Sequence, residues 1–275
     1  MVRLLAFGLG LVFCAALLFG AVQHREAAAP DPVAKYHLAP REISFHQDGV
    51  FGTFDRGQLQ RGYQVYKEIC SGCHSLKRVA FRNLADLGFT APQIKALAKQ
   101  SEVASIDDKT GEANTRKAIP SDKIPGPYAN EQAARAANNN ALPPDLSLIT
   151  KAREEGSRYV PSLLTGYRTP PKGWVVPDGL YYNPYFRSLN VAMPPPLSVD
   201  GQVTYTDGTK ATREQMAEDV AAFLTWTAEP TLENRRRTGV GAVLFLLALT
   251  VLGYLSYSRV WADLKHPKRG VVPAE

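Results

Sequence analysis

The sequence predicts a mainly α-helical domain that a C-terminal transmembrane helix joins to the membrane. Three observations carry this prediction. Apolar residues recur at helical spacing in several segments of the middle of the chain. The 20 prolines and 21 glycines predict many turns and long irregular connections. An uncharged apolar run over residues 239–257, with basic clusters at both ends, is typical of a membrane span.

Five segments of the middle region have the pattern of helices. They are residues 55–73, 90 or 92 to 102, 131–137, 146–155 and 213–228. Asp55 is the predicted N-cap of the first helix. The last helix is the best defined, because its apolar residues form one stripe, and Met216 belongs to that stripe.

The remaining middle region is predicted to contain little regular structure. Val203, Tyr205 and Lys210 flank Asp207-Gly208, a pairing typical of a small β-hairpin. Residues 103–130 and 168–200 are expected to form long loops, and loops of that length usually carry function or pack against another element.

The N-terminus has the pattern of an export signal. Arg3 precedes an uncharged apolar run over residues 4–22, and polar residues follow it. The run is also nearly long enough to span a bilayer. Residues 1–26 are therefore expected to be either a cleaved export signal or a retained N-terminal membrane segment.

The charge distribution places the basic excess beside the membrane segments. The formal net charge is +6, but residues 27–232 contain 23 basic and 22 acidic residues. A basic excess near membrane spans is suited to anionic lipid and to topology. No basic stripe interleaved with aromatic residues is present in the sequence, so we expect no nucleic-acid partner.

The run Cys70-Ser71-Gly72-Cys73-His74 matches the pattern for covalent haem c attachment. Two thiols one turn apart reach the two vinyl groups of a haem, and the next imidazole becomes an iron ligand. A redox dithiol would need a strand before the motif, but a helix is predicted there. A zinc site needs four ligands, and a second cysteine pair is missing. Together with the export signal, the motif predicts one haem attached through Cys70 and Cys73, with His74 on the iron.

The second axial ligand is sought among the remaining methionines and histidines. Met216 lies on the apolar stripe of its predicted helix, where core packing is the default role. Met193 is followed by three prolines, which stiffen the backbone, and a weak thioether ligand needs such stiffness. Met193 is therefore the predicted ligand, with His37 and His46 as alternatives.

Two long runs of this sequence, residues 61–76 and 133–147, resemble the cytochrome c1 family. The resemblance continues in family order at residues 159–167, 193–196, 228–230 and 261–265. It covers roughly residues 50–269. One departure is Asn140, where the family usually has glycine.

The resemblance implies a mainly α c-type cytochrome fold with long loops, a small β-hairpin and a C-terminal transmembrane helix. It implies that His74 and Met193 are the axial iron ligands. It also implies a set of residues around the haem, of which Arg153 and Tyr159 lie near a propionate. This set comprises Asn138, Ala141, Pro143, Pro144, Arg153 and Tyr159.

The resemblance further implies the electron-transfer haem subunit of the cytochrome bc1 complex in a respiratory chain. Such a subunit is not an enzyme on its own. It takes an electron from the Rieske iron–sulfur protein, passes it to a cytochrome c, and sits beside cytochrome b and membrane lipid. The alternative is a haem enzyme subunit of peroxidase or oxidase type, whose iron keeps an open position and binds carbon monoxide when reduced.

The resulting map of the chain has four parts. A haem c domain over 36–230 follows the N-terminal segment 1–26 and faces the periplasm. Residues 235–262 are the transmembrane anchor in a bacterial inner (cytoplasmic) membrane. Residues 263–275 are a cytoplasmic tail. Haem attachment on the exported side fixes this orientation.

Overall fold

The computed structural model describes residues 2–22 and 31–262, and its architecture is mainly α-helical, as predicted. The helices are α1 (Val2–Val22), α2 (Arg56–Glu68), α3 (Ala91–Ala98), α4 (Glu131–Ala137), α5 (Gly156–Thr165), α6 (Arg213–Ala228) and α7 (Leu232–Val260). The short strands are β1 (Leu76–Ala80), β2 (Glu102–Ile106), β3 (Ala113–Lys117), β4 (Lys123–Ile124), β5 (Tyr181–Tyr182) and β6 (Asn190–Val191). They form three antiparallel pairs, β1 with β4, β2 with β3 and β5 with β6.

Helix α2 begins at a capped N-terminus and ends in a tighter turn. The Asp55 carboxylate accepts the backbone N–H groups of Gly57 (2.8 Å) and Gln58 (3.3 Å), which confirms the predicted N-cap. Ile69 departs from helical geometry, with φ −116 and ψ −54, and a 3₁₀ turn follows over Cys70–Gly72. The predicted helix over 55–73 is therefore an α-helix followed by one 3₁₀ turn.

The core is built where α2 crosses α6. A Cβ added to Gly62 would lie 2.0 Å from the carbonyl oxygen of Asp219 and 2.7 Å from Cβ of Phe223. Only glycine therefore lets these two backbones approach so closely. The Phe223 ring packs against Tyr63 and Tyr66, with centroids 5.6 and 5.9 Å away. This crossing fixes the helix that leads into the cysteine motif.

A buried ion pair joins the same two helices. Arg61 Nε donates to Asp219 at 3.0 Å, and Arg61 Nη1 donates to Asp207 at 2.7 Å. The side chain of Asp219 is fully buried, and Gln215 donates a further hydrogen bond to it at 2.9 Å. The buried carboxylate is thus paired and hydrogen-bonded, as a charge in a protein interior must be.

Three of the five predicted helices are found at or near their predicted bounds. The predictions for 131–137 and 213–228 match α4 and α6. The helix predicted to end at 102 is α3, which ends at Ala98.

The helix predicted over 146–155 is wrong, because this segment forms single turns and α5 begins only at Gly156. Leu146 N–H donates to the Ser75 carbonyl at 2.9 Å, a partner far away in sequence. Glu155 has φ +46, a left-handed conformation that breaks a helix. The Leu146 N–H thus serves a tertiary contact, and the residues after it form separate local turns, such as the one that Ile149 N–H closes on the Leu146 carbonyl at 3.2 Å.

The hairpin predicted around Asp207-Gly208 is also wrong. Val203 and Tyr205 are buried in the core, and residues 203–210 contain a turn at 206–207 but no strand. The Asp207 carboxylate accepts Thr209 N–H at 2.9 Å, which closes a local turn without strand pairing.

A hairpin occurs instead within the region predicted as a loop, where β2 pairs with β3 in the register Val103↔Arg116. Both strands are largely exposed and polar, so they lack the apolar alternation that predicts strands. Residues 168–200 are irregular as predicted, apart from the short β5–β6 pair.

Among residues 2–22 and 31–262, two helices are long and apolar enough to cross a membrane, α1 over Val2–Ala21 and α7 over Leu232–Val260. The predicted tail 263–275 and residues 1 and 23–26 of the N-terminal segment lie outside the described residues.

Candidate functional site

The cysteine motif forms a tight turn in which one backbone carbonyl accepts two hydrogen bonds. Cys73 N–H and His74 N–H both donate to the carbonyl oxygen of Cys70, at 3.1 and 2.9 Å. This tight turn brings both thiols and the imidazole into one short piece of chain, directly after α2. The two cysteines and His74 lie close together because they are near neighbours in the sequence and because α2 ends directly before them.

The His74 ring is held in one tautomer. Its Nδ1 lies 2.8 Å from the carbonyl oxygen of Pro144. A carbonyl only accepts hydrogen bonds, so Nδ1 is the protonated nitrogen. Burial lowers the pKa of His74, although the Pro144 carbonyl and Asp145 oppose this shift. The neutral ring therefore presents the lone pair of Nε2, which is the form that binds a metal.

The Cys70 thiol lacks the low pKa of a reactive redox cysteine. Burial, together with the nearby Cys73, raises the pKa of Cys70 to about 12. A catalytic dithiol needs the opposite shift, because the thiolate is the nucleophile. Within residues 2–22 and 31–262 no group of three or more His, Cys, Asp or Glu residues is arranged to hold a metal ion.

Asp145 clamps the segment that holds His74, and the sequence alone did not single it out. Its carboxylate accepts the Ser75 hydroxyl at 2.7 Å, Lys77 N–H at 2.8 Å and Ser147 N–H at 3.0 Å. Burial opposes ionisation of Asp145, but these donors outweigh it and lower its pKa. Ser75 and Lys77 lie about 70 residues before Asp145 in the chain, so no local sequence pattern predicts these contacts.

A second contact fixes the backbone of the histidine itself. The Tyr66 hydroxyl donates to the carbonyl oxygen of His74 at 3.0 Å. Tyr66 lies on the buried face of α2 and packs on Phe223. The orientation of His74 thus depends on the core crossing as well as on Pro144.

The predicted haem-lining stretch 138–144 forms a turn after α4. The side-chain amide of Asn138 donates to Tyr128 Oη at 2.9 Å and to the Ala134 carbonyl at 2.7 Å. Both hydrogen bonds stabilise the turn. Ala141 and Pro143 are half-buried, whereas Pro144 is exposed and contacts His74 through its carbonyl.

Asn140 adopts φ +61, the left-handed conformation in which glycine has no steric penalty. Asparagine tolerates this conformation better than most residues. The departure from the family pattern at this position is therefore compatible with the same turn.

A second cluster contains Arg153, Tyr159 and Tyr167, and it reaches the backbone of Met193 through the Tyr167 hydroxyl. Burial raises the pKa of Tyr159, and the neighbouring Arg153 opposes this shift. Tyr159 also lies close to Tyr167, whose hydroxyl donates to the carbonyl oxygen of Met193 at 3.0 Å. Tyr167 was not singled out from the sequence, and it holds the backbone of the predicted ligand in place.

The alternatives to Met193 occupy different environments. Met216 is 0% exposed and packed on all sides within the core, as expected for its stripe on α6. His37 and His46 are exposed residues in turns. Met193 is half-buried, so its thioether is neither enclosed in the core nor free in solvent.

The donor set fits a covalently attached haem. Two thiols and an imidazole with a free Nε2 lone pair lie on one turn, and a methionine sits in a stiff proline-rich loop. Cys70 and Tyr159, one from each cluster, pack against the same hydrophobic core. Sulfur and imidazole ligands of this kind are those that hold c-type haem iron.

Comparison with known proteins agrees with this chemistry. The model of the Cytochrome C1 family matches residues 45–264. "Cytochrome c1" of Rhodospirillum rubrum is 46% identical over 245 residues, which cover 82% of this chain and 90% of that protein. The "Cytochrome b-c1 complex catalytic subunit, mitochondrial" of Candida albicans is 46% identical, with 86% of this chain and 82% of that protein covered.

"Cytochrome b/c1" of Bradyrhizobium diazoefficiens is a longer relative. It is 42% identical over 280 residues, which cover 93% of this chain but only 39% of that protein. The match of the family model and the high identity over most of the chain lead to one conclusion: the chain belongs to the cytochrome c1 family.

Proposed function

We propose that this chain carries one haem c, attached through Cys70 and Cys73, with His74 and Met193 as its axial ligands. The observation that carries the proposal is the His74 ring, fixed with its Nδ1 on the Pro144 carbonyl directly after the two cysteines. A histidine held in this tautomer has one nitrogen available, and that nitrogen points away from its hydrogen-bond partner.

A haem with histidine and methionine ligands supplies one-electron redox chemistry at a comparatively high potential, without an open iron position. The role of this chain is to fix the positions of the two axial ligands. Pro144 and Tyr66 fix the imidazole and the backbone of His74, and Tyr167 fixes the backbone of Met193. Ligands held on both axial positions leave no iron site for a substrate, so this arrangement suits electron transfer.

We propose further that the chain is the haem subunit of a cytochrome bc1 complex. It would accept an electron from the Rieske iron–sulfur protein and pass it to a cytochrome c. The names of two relatives support this assignment, since one is a catalytic subunit of the b-c1 complex and the other joins b and c1 in one name. Cytochrome b and membrane lipid are then the expected neighbours.

The proposed location is a bacterial inner membrane with the haem domain, residues 36–230, in the periplasm. Helix α7 is the anchor, and its length and composition suit a span. Haem c is attached on the exported side, so the preceding domain faces the periplasm and residues 263–275 face the cytoplasm. Residues 1–26 are either removed after export or kept as a second span.

The test is purification of the detergent-solubilised protein from its native membrane. We expect haem to stay on the denatured chain, and we expect a b-type cytochrome and an iron–sulfur protein to copurify. Carbon monoxide should not bind to the reduced haem. Carbon monoxide binding would favour the alternative of a haem enzyme with an open iron position, and haem lost on denaturation would contradict covalent attachment.

A further inference from the structure

We infer that the tip of the turn over residues 46–53, which carries Val50 and Phe51, inserts into the lipid interface beside α7. This turn belongs neither to the haem site nor to the core. The inference rests on the proposed membrane anchoring by α7. It assigns a second membrane contact to the haem domain itself.

The turn has a fixed shape. Thr53 N–H donates to the His46 carbonyl at 3.1 Å and closes the base of the turn. The carboxylate of Asp48 accepts Phe45 N–H at 2.9 Å, so its charge is directed to the base. Gly49 has φ +73 at the tip, a conformation that suits glycine. The two apolar residues are therefore displayed by a structured turn.

The turn runs along α7 towards the membrane segment. Phe54 N–H donates to Glu233 at 2.7 Å, in the first turn of the helix. The Gly52 and Gln47 carbonyls both accept from Arg236 Nη1, at 2.9 and 2.7 Å. The step from Glu233 to Arg236 advances about 4.5 Å along the helix axis. Residues 50 and 51 lie between Gln47 and Gly52 in the chain, at the end of the turn opposite the Thr53–His46 hydrogen bond.

The membrane segment begins next to this point. Residues 238–258 of α7 contain no charged side chain, and these 21 residues span about 32 Å, close to the thickness of a bilayer core. Arg236 lies only two residues, about 3 Å, before this stretch. The turn is thus bound to the helix directly before the stretch that enters the bilayer, which is where a lipid interface lies.

The side chains at the tip suit this depth. Phe51 is 84% exposed and Val50 is 64% exposed, although both are large and apolar. Arg237 is exposed on α7 at the same level, which suits contact with anionic headgroups, whereas Arg235 pairs with Glu229. Aromatic and basic residues are the usual composition of a protein surface at the membrane interface.

The test places a photo-activated cross-linker, p-benzoyl-L-phenylalanine, at position 51 of the full chain in its native membrane. Position 247, in the middle of α7, is the control that must contact lipid. Position 106 is the aqueous control, because Ile106 is exposed beside Asp107 and Asp108 in the β2–β3 hairpin. After illumination, mass spectrometry of peptides from each chain identifies the adducts, and bound haem content verifies folding.

We expect phospholipid adducts at positions 51 and 247, with a yield at 51 several-fold above that at 106. Lipid adducts at 247 but not at 51 would overturn the inference and leave the anchor intact. An adduct between position 51 and another polypeptide would also overturn it, because a subunit would then cover the tip. Lipid adducts at neither position would remove the anchoring by α7 on which the inference rests.

Discussion

The imidazole Nδ1 of His74 lies 2.8 Å from the carbonyl oxygen of Pro144, 70 residues further along the chain. The residues that follow His74 and Pro144 are also in contact, because the Ser75 hydroxyl donates to the Asp145 carboxylate at 2.7 Å. Two consecutive contacts therefore dock the turn after α4 onto the cysteine motif. The orientation of the proposed iron ligand depends on that docking.

Replacement of either motif cysteine tests the attachment. Cys70→Ser or Cys73→Ser removes one thioether, so we expect haem that is weakly retained or lost on a denaturing gel. Cys14→Ser is the matched control, because Cys14 lies in α1, away from the motif. Equal haem retention in all three variants would contradict the attachment.

The Asp145 clamp should contribute to stability. Asp145→Ala leaves three donors without their acceptor, and we expect the free energy of unfolding to fall by about 1–3 kcal/mol. Denaturant titration followed by circular dichroism measures this loss. Asp108→Ala, on the exposed hairpin, should change little. Equal stability of the two variants would show that the clamp is not a stabilising contact.

The close crossing of α2 and α6 should not tolerate a methyl group. Gly62→Ala places a Cβ against the Asp219 carbonyl, and the backbones must separate, at a cost of about 1–3 kcal/mol or more. Gly57→Ala is the control, because this glycine is exposed in the first turn of the same helix. A thermal melt that ranks Gly62→Ala at or above Gly57→Ala would contradict the packing argument.

Asp207 should make the free energy of unfolding depend on pH under acidic conditions. Its hydrogen bonds from Thr209 and Arg61 lower its pKa from 3.8 to about 2. The unfolded state therefore takes up the proton first, so this stabilisation is complete above pH about 4 and is lost as pH falls towards about 2. In denaturant titrations, the midpoint of Asp207→Asn should fall less between pH 5 and pH 3 than the midpoint of the unmutated protein, and an equal fall in both would contradict this role.

The last prediction compares two methionines. Met193→Leu keeps size and apolar character, so the fold should survive. The thioether is removed, so we expect a lower reduction potential and carbon monoxide binding at normal haem content. Met216→Leu should cost only packing and leave the potential unchanged. If Met216→Leu changes the potential and Met193→Leu does not, Met193 is not the ligand.

Local chemistry alone determined much of this protein. The N-cap at Asp55 and the bounds of α4 and α6 were predicted, because caps and helical periodicity depend on neighbouring residues. The cysteine motif and the long apolar run of α7 also depend on neighbouring residues alone, and the haem attachment that the motif predicts stays a prediction.

The tertiary structure decided what depends on distant partners. Residues 146–155 have the pattern of a helix, yet Leu146 N–H donates to Ser75 and Ser147 N–H donates to the Asp145 carboxylate, while the residues after them form separate turns. Tyr167 and Asp145 carry no local signal, because their roles arise only where the chain returns to Met193 and Ser75. The periodicity of a sequence predicts which side of a helix or strand is apolar. It does not predict which distant residue a side chain will bond, because that depends on how the whole chain folds.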